Sequence, residues 1–272
     1  MVPVFVLSQV GYHYGEGVVA LRDVSLTVTP GEKVAILGAN GCGKSTLIKM
    51  LDGLIHPQTG TIEAFGAPLT EQALRDETFA YCFRRRVGFI FQNADAQLFS
   101  PTVREEIAFG PLQMGLSYEE IARRLEDVTK LLGIGHLLDR PPFQLSGGEK
   151  KKVAIAGALV INPEVLLLDE PTNGLDPRSQ HWLVELMVNL HRAGKTILTA
   201  THDLNIVPII SDRALVFSEE HTLVADRPSR EVLNDLPLLL SVNLIHEHLH
   251  RHGDLVHSHP HFHDAEHDHH HE

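Results

Sequence analysis

The nine residues GANGCGKST, Gly38–Thr46, constrain the fold of this 272-residue chain more than any other segment. They follow the apolar run Lys33–Leu37, which predicts a strand, and they open a stretch of helical character from Lys44 to about Leu54. The spacing G-x-x-x-x-G-K-[ST] between a strand and a helix is typical of a loop that binds phosphate groups. An ordinary glycine turn is the alternative, and it explains neither the full spacing nor the context.

The residue types in this loop suit a nucleoside triphosphate. Glycines allow backbone N–H groups to converge on an anion, and the N-terminus of the following helix adds partial positive charge. Lys44 is expected to contact the β- and γ-phosphates, the Ser45 hydroxyl to ligate Mg²⁺, and Thr46 to reach the α-phosphate. The expected nucleotide-binding residues of the loop are Gly38, Asn40, Gly41, Gly43, Lys44, Ser45 and Thr46.

A second motif ends in two carboxylates. The apolar run Val165–Leu168 predicts a strand buried on both faces, and it is followed by Asp169 and Glu170. Asp169 is expected to orient Mg²⁺, and Glu170 to polarise the attacking water. Alone, the pair could be a solvent-facing strand end; together with the phosphate loop it indicates phosphoryl transfer.

A third motif, LSGGEKKKVAIAGAL, covers Leu145–Leu159. Ser146 is expected to cap a helix whose first turn contains Gly147 and Gly148, which would make a second anion site at a helix N-terminus. One nucleotide does not need two such sites from one chain. We therefore predict that this helix faces a nucleotide held by a partner chain; a plain capped helix is the alternative.

The order of short apolar strands and helical stretches predicts an α/β fold with a mostly parallel sheet. Strands are also expected at Val4–Leu7 and Leu21–Val28, on either side of a turn at Gly15–Gly17. A helical pattern from Thr102 to Phe143 interrupts the alternation, and Ser117 with Glu120 has the spacing of a capping box. We predict an ATPase domain at 1–240, a helical subdomain inserted at about 95–148, and a separate segment at 241–272.

The three motifs, in this order, resemble the ATPase subunit of an ATP-binding cassette (ABC) transporter. The resemblance extends over about residues 4–235 and implies a RecA-like P-loop NTPase core, an antiparallel β subdomain, ATP and Mg²⁺ as ligands, and ATP hydrolysis coupled to transport. By this resemblance the catalytic residues are Glu170, His202 and Gln92, the Mg²⁺ ligands are Ser45, Gln92 and Asp169, and Tyr14, Ser146, Gly147, Gly148 and Asp176 also contact nucleotide.

Some of these matches have little weight by themselves. Gln92 or His202 alone would be an ordinary polar residue after a strand, and Tyr12 competes with Tyr14 as the aromatic residue that stacks on adenine. Glu149 departs from the family pattern, in which glutamine ends the signature motif, and it puts a negative charge near the partner's nucleotide.

The segment Phe91–Ser117 resembles ATPases of energy-coupling-factor importers, which take up vitamins or transition-metal ions. The resemblance implies three partners: a second ATPase subunit, with a homodimer expected, a transmembrane coupling protein, and a membrane component that binds substrate. It also implies a peripheral location at the cytoplasmic face of the cell membrane. A vitamin importer remains the alternative to a nickel or cobalt importer.

The C-terminal segment is unusual in composition. The chain contains 19 histidines, and twelve of them lie between His246 and His271. Imidazole is a ligand for Ni²⁺, Co²⁺ and Zn²⁺, so we expect a disordered tail that holds such ions loosely. An expression tag and a solvated tail without a role are the alternatives. The candidate ligands are His257, His259, His261, His263, His267 and His269.

Other function classes fit poorly. The net charge of −12 argues against a nucleic-acid partner, and no apolar run approaches the roughly 20 residues of a membrane-spanning helix. The only cysteines, Cys42 and Cys82, suggest a reducing compartment. A metallochaperone GTPase would read guanine with N-K-x-D, which the sequence lacks. A soluble ABC ATPase for DNA repair or translation would carry a long coiled coil or two cassettes, and neither is present.

Overall fold

The computed structural model describes residues 2–15, 17–252 and 255–262. In chain order the strands are β1 (Phe5–Tyr14), β2 (Val18–Val28), β3 (Lys33–Leu37), β4 (Thr59–Ala64), β5 (Ala67–Pro68), β6 (Val87–Ile90), β7 (Val165–Asp169), β8 (Thr196–Ala200), β9 (Arg213–Phe217), β10 (Leu223–Pro228), β11 (Ile245–His252) and β12 (Leu255–Phe262). The helices are α1 (Lys44–Leu51), α2 (Glu71–Leu74), α3 (Glu77–Arg86), α4 (Val103–Gln113), α5 (Tyr118–Leu132), α6 (Gly147–Leu159), α7 (Pro177–Arg192), α8 (Val207–Ile210), α9 (Ser229–Asn234) and α10 (Leu236–Ser241).

A six-stranded sheet with the order β10-β9-β3-β8-β7-β6 forms the centre of the fold. All of its neighbouring strands are parallel except β10 and β9, which are antiparallel. Every residue of β7 and β8 is buried, as expected of parallel strands covered on both faces. The predicted α/β class with a mostly parallel sheet is confirmed.

A second, four-stranded antiparallel sheet has the order β2-β1-β4-β5. The strands β1 and β2 are longer than predicted and pair from Phe5 with Val28 to Tyr14 with Val18. Apolar side chains of this sheet, such as Val10 and Leu21, share one buried cluster with Leu47 of α1. This sheet is the expected antiparallel β subdomain, and it covers the helix that follows the phosphate loop.

The helical insertion contains α4 and α5 and packs against α6. Helix α5 ends at Gly133, whose φ of 66° is the left-handed conformation typical of a helix C-cap. Its buried face is Ile121, Leu125, Val128, Thr129 and Leu132, while Leu131 of the same helix is 59% exposed.

The capping box predicted for α5 is wrong in part. The Ser117 hydroxyl accepts a hydrogen bond from the backbone N–H of Glu120, but the Glu120 carboxylate does not return one to Ser117. It accepts hydrogen bonds from the guanidinium groups of Arg123 and Arg124 instead, because these lie three and four residues along the same helix face.

The predicted boundary at residue 240 falls inside a packed region. Val242, Leu244 and Ile245 are each 2% exposed and join a buried cluster with Val216 of β9. We therefore extend the folded core to Ile245. Among the described residues, no helix is long and apolar enough to cross a membrane.

The structure describes part of the segment 241–272, for which the sequence predicts a disordered tail. Strands β11 and β12 pair antiparallel in the register from Ile245–Phe262 to His252–Leu255. The sequence signal is the regular alternation of histidine with other residues on both sides of Gly253-Asp254, a dipeptide typical of two-residue hairpin loops. The candidate ligands His263, His267 and His269 lie outside the described residues.

Candidate nucleotide-binding site

The candidate site lies where the parallel strands end. The register aligns Ile36 of β3 with Ala200 of β8, Asp169 of β7 with Ala200, and Ile90 of β6 with Leu168. The segments after β3, β6, β7 and β8 therefore leave the sheet at one edge. They are the phosphate loop, the segment with Gln92, the pair Asp169-Glu170, and the segment with His202, so the fold gathers all four predicted motifs.

The phosphate loop ends at Gly43, which is the N-cap of α1 and offers no side chain to the helix. Its φ is 109°, and a Cβ at this position would overlap the carbonyl oxygen of Ala20. Only glycine fits here, so the first N–H groups of α1 are left for an anion rather than for a capping side chain. At the loop's tip, Asn40 and Gly41 are exposed.

Lys44 is 5% exposed, and its ammonium group is held by the loop itself. Its Nζ donates to the carbonyl oxygens of Gly38, at 2.8 Å, and Ala39, at 3.2 Å. The same nitrogen lies 3.4 Å from Glu170 Oε1. A positive charge is thus fixed inside the loop, in the place where the sequence predicts the β- and γ-phosphates.

Two of the predicted Mg²⁺ ligands, Ser45 and Asp169, contact each other. The Ser45 hydroxyl donates to Asp169 Oδ1 at 2.8 Å, and Asp169 is 4% exposed. Burial raises the pKa of Asp169, and the Ser45 hydrogen bond opposes that rise. Hydroxyl and carboxylate oxygens are the ligands that Mg²⁺ prefers, so the residues present fit this ion. The exposed Gln92 follows β6 on the neighbouring strand end and would bring an amide oxygen to the same place.

Glu170 has the surroundings expected of a residue that activates water. Its Oε2 is 3.0 Å from Nδ1 of His202, and its buried Oε1 receives no hydrogen bond among the described residues. Its φ of 41° is uncommon for a residue with a side chain, and such strain is often found at functional sites. The unmet acceptor oxygen beside Lys44 is where a polarised water would bind.

The structure helps to decide between the two tyrosines. The hydroxyl of Tyr14 is 3.3 Å from Thr46 Oγ1, and its ring meets the ring of Tyr12 edge to face at 5.0 Å. Tyr14 is 41% exposed, whereas Tyr12 packs against the core cluster of the β subdomain. The contact with Thr46 places Tyr14 next to the phosphate loop and supports it as the residue that stacks on adenine.

The signature segment forms a complete capping box. Ser146 is the N-cap of α6, and the Glu149 carboxylate accepts hydrogen bonds from the Ser146 backbone N–H at 2.9 Å and hydroxyl at 2.8 Å. These two hydrogen bonds hold the pKa of Glu149 below its usual range, so it is ionised at neutral pH. Ser146 and Gly147 are exposed, and within the described residues no hydrogen bond joins this segment to the phosphate loop. It is therefore free to face a partner.

Asp176 has a structural task in addition to the predicted one. It is the N-cap of α7, where its carboxylate accepts from the backbone N–H groups of Arg178 and Ser179 and from the Ser179 hydroxyl. Gly148 lies close to that hydroxyl. Asp176 thus fixes the segment before α7 beside the signature, and its contact with nucleotide stays a prediction.

Neutralising Glu149 is expected to strengthen ATP-driven pairing of two chains. Glu149→Gln keeps an acceptor for the Ser146 N–H but removes a negative charge from the surface that would meet the partner's triphosphate. We expect roughly fivefold tighter ATP-dependent dimerisation at low salt, and less at high salt, since such interactions are screened. Glu126→Gln, which removes an exposed charge from α5, is the control. Equal dimerisation of the Glu149 variant and wild type at low salt would contradict this role.

In the described part of the chain, no group of three or more His, Cys, Asp or Glu residues could hold a metal ion. His257, His259 and His261 lie on β12, and the other candidate tail ligands lie outside the described residues.

Comparison with known proteins identifies the family of the chain. The ABC transporter family model matches residues 21–173. A putative ABC transporter ATP-binding protein of Methanosarcina acetivorans is 53% identical over 92% of each chain. The nickel import ATP-binding protein NikO of Rhodobacter capsulatus is 47% identical over 90% of this chain and 97% of its own.

Among solved structures, cbiO1 of Clostridium perfringens, described as part of the ABC transporter complex cbiONQ, superposes with a TM-score of 0.76. It is 37% identical and covers 90% of this chain and 96% of its own.

Proposed function

Since the chain belongs to the ABC transporter family of ATP-binding proteins, we propose that it is the energy-coupling ATPase of an energy-coupling-factor importer for nickel or cobalt ions. The observation that supports hydrolysis most directly is the connected set of Lys44, Ser45, Asp169 and Glu170, with His202 in contact with Glu170. It combines a fixed cation that can bind the phosphates, oxygen ligands for Mg²⁺, and a carboxylate that can activate the attacking water.

In the proposed reaction the chain's own groups position the triphosphate and polarise the attacking water. The N-terminus of α1 and Lys44 bind the triphosphate, while Ser45, Asp169 and Gln92 would hold Mg²⁺, which would supply positive charge beside the phosphate oxygens. Glu170 orients a water for attack on the γ-phosphorus and accepts its proton, and His202 fixes the Glu170 carboxylate.

The site is proposed to be completed by a second copy of the chain. The signature turn at Ser146 is an exposed helix N-terminus, and α6 is long enough, at 13 residues, to have a strong partial charge there. Two chains related by a twofold axis would each offer this turn to the other's nucleotide, since a twofold interface pairs the same surface with itself. ATP would then join the chains, and hydrolysis would release them.

An exposed apolar patch supports a membrane partner. Phe99 is 67% exposed and Phe109 is 42% exposed, and their rings meet edge to face at 4.9 Å. Leu112, 45% exposed, and Tyr118, 83% exposed, lie in the same helical insertion. Exposed aromatic clusters of this kind mark interaction sites. We propose that the transmembrane coupling protein binds here, at the cytoplasmic face of the membrane, and follows movements of the insertion.

Two observations favour nickel or cobalt over a vitamin as cargo. One is the similarity over nearly the whole chain to a nickel import ATPase. The other is the register of β11 and β12, in which three pairs of histidines lie directly opposite each other: His246–His261, His248–His259 and His250–His257. Residues directly opposite in an antiparallel pair are close neighbours on one face, and imidazoles are suitable ligands for these ions. We propose that the hairpin collects labile Ni²⁺, Co²⁺ or Zn²⁺.

Metal uptake tests the proposal. Cells that lack this protein should accumulate less Ni²⁺ or Co²⁺, and the full chain should restore uptake. A truncation after Ile245 should hydrolyse ATP normally and support uptake in abundant metal, but fail in scarce metal. Unchanged metal accumulation on deletion, alongside lost uptake of a vitamin, would contradict the nickel or cobalt assignment. Normal uptake by the truncation in scarce metal would contradict the role of the hairpin alone.

A further inference from the structure

A lysine is buried beneath the segment that carries Gln92. Lys151 lies on α6 and is 3% exposed. Its Nζ donates to the carbonyl oxygen of Phe91 at 3.1 Å and to that of Gln92 at 2.9 Å. The charged end of the side chain thus holds the main chain of the candidate Mg²⁺ ligand, and its other end belongs to the helix that begins with the signature.

Placing an ammonium group here is costly for stability. Burial lowers the pKa of Lys151 to about 8, although the negative charge of Asp169 opposes this shift. An unbranched apolar side chain of similar length would fill the same space without desolvating a charge. The two carbonyl hydrogen bonds are therefore what the lysine supplies and an apolar residue could not.

Two further contacts fasten the same segment to α6. Gln97 Nε2 donates to the carbonyl oxygen of Ala154 at 3.2 Å, while its Oε1 accepts from the Phe91 N–H. Lys150 Nζ donates to Asp95 Oδ1 at 2.6 Å, close to the surface. Of Gln97, Lys150 and Lys151, it is Lys151 that contacts the carbonyl oxygen of Gln92.

We propose that Lys151 is a positioning residue that couples the chain's own ATP site to the signature it presents to its partner. A movement of Gln92 towards Mg²⁺-ATP displaces its carbonyl, and Lys151 passes that displacement to the first turn of α6, where Ser146 lies. The nucleotide bound to one chain thus changes the position of the signature that contacts the nucleotide of the other chain. The proposal rests on hydrolysis by a two-chain site, and it deepens that function by naming how the two sites communicate.

Lys151→Met is the test, with Lys130→Met as the control because Lys130 is an exposed lysine on α5. The full-length variant should bind a non-hydrolysable ATP analogue as wild type does. Its kcat should fall by roughly tenfold, its half-saturating Mg²⁺ concentration should rise, and its Hill coefficient for ATP should approach 1. Its melting temperature should stay level or rise, because a buried charge is lost. Lys151→Arg should recover part of the cooperativity.

A double-mutant cycle separates this role from a structural one. If Lys151 acts through Gln92, the effects of Gln92→Ala and Lys151→Met on the Mg²⁺ requirement should not add. Additive effects, or kcat and Hill coefficient of Lys151→Met within twofold of wild type, would overturn the proposal. Should Lys151→Met not fold, Lys151→Arg carries the test: its Hill coefficient should lie between 1 and the wild-type value, and an unchanged value would overturn the proposal as well. Inactivity of the wild-type chain would instead contradict the proposed function.

Discussion

Replacing Glu170 with glutamine is expected to leave ATP binding intact and to slow hydrolysis by roughly a thousandfold, the loss typical of removing a residue that acts on the reacting water. Glutamine has the same shape, so the neighbouring Lys44 and His202 keep a partner. It cannot accept a proton, and its Oε1 position would no longer carry negative charge. ATP should then accumulate in a closed dimer.

The measurement is single-turnover phosphate release, together with light scattering of the Glu170→Gln chain with and without Mg-ATP. Glu126→Gln makes the same chemical change at an exposed position on α5 and should behave as wild type. Turnover by Glu170→Gln within tenfold of wild type would show that another group activates the water.

Replacing Lys44 with alanine is expected to weaken ATP binding by at least about a hundredfold, since it removes a buried charge that would contact the β- and γ-phosphates. Lys44→Ala lowers the affinity for ATP, whereas Glu170→Gln lowers the rate of hydrolysis. Calorimetric titration with ATP in the presence of Mg²⁺ gives the affinity directly.

Lys44 also donates to the carbonyls of Gly38 and Ala39, so its loss could loosen the loop. Thermal unfolding without nucleotide measures that contribution separately, and Lys130→Ala controls for loss of a lysine at the surface. An ATP affinity within fivefold of wild type would contradict the assignment of Lys44 to the phosphates.

Much of the central fold follows from local patterns in the sequence. The strand β3 has the predicted bounds, because a buried parallel strand is a short apolar run that ends at a recognisable loop. The start of α1 at Lys44 follows from the phosphate-loop spacing in the same way.

Other features of the structure do not follow from local sequence patterns. Helix α3 has one buried residue, Phe83, and its apolar residues are consecutive, so no apolar period reveals it. The capping box was assigned to Ser117 rather than Ser146, because S-x-x-E spacing occurs at both and only the structure shows which carboxylate has arginine partners. The histidine-rich composition does not predict the hairpin β11–β12; only the alternation of histidine with other residues indicates it.

The residues of the candidate site also divide into those that the sequence identifies and those that only the structure shows. Motif residues such as Lys44 and Asp169 are identifiable because their chemistry requires a particular residue type at a particular spacing. The contacts of Lys151 are not identifiable in that way, since its partners are the main-chain carbonyl oxygens of Phe91 and Gln92. Main-chain groups leave no sequence signal, so these roles appear only when the segments are brought together.

The central claim is that each ATP lies between the phosphate loop of one chain and the signature of another. Mixing two inactive variants tests it most directly: Lys44→Ala, which loses the phosphate-loop charge, and Gly147→Asp, which puts a carboxylate at the signature. A Cβ at Gly147 would meet nothing within 4 Å, so this variant should fold.

In a mixed dimer one site has both defects and the other has neither. Equimolar mixing should therefore restore ATPase activity, to at most about a quarter of the wild-type rate, given random twofold pairing and one competent site in each mixed dimer. Activity that never exceeds the sum of the two separate variants at any mixing ratio would contradict the two-chain site.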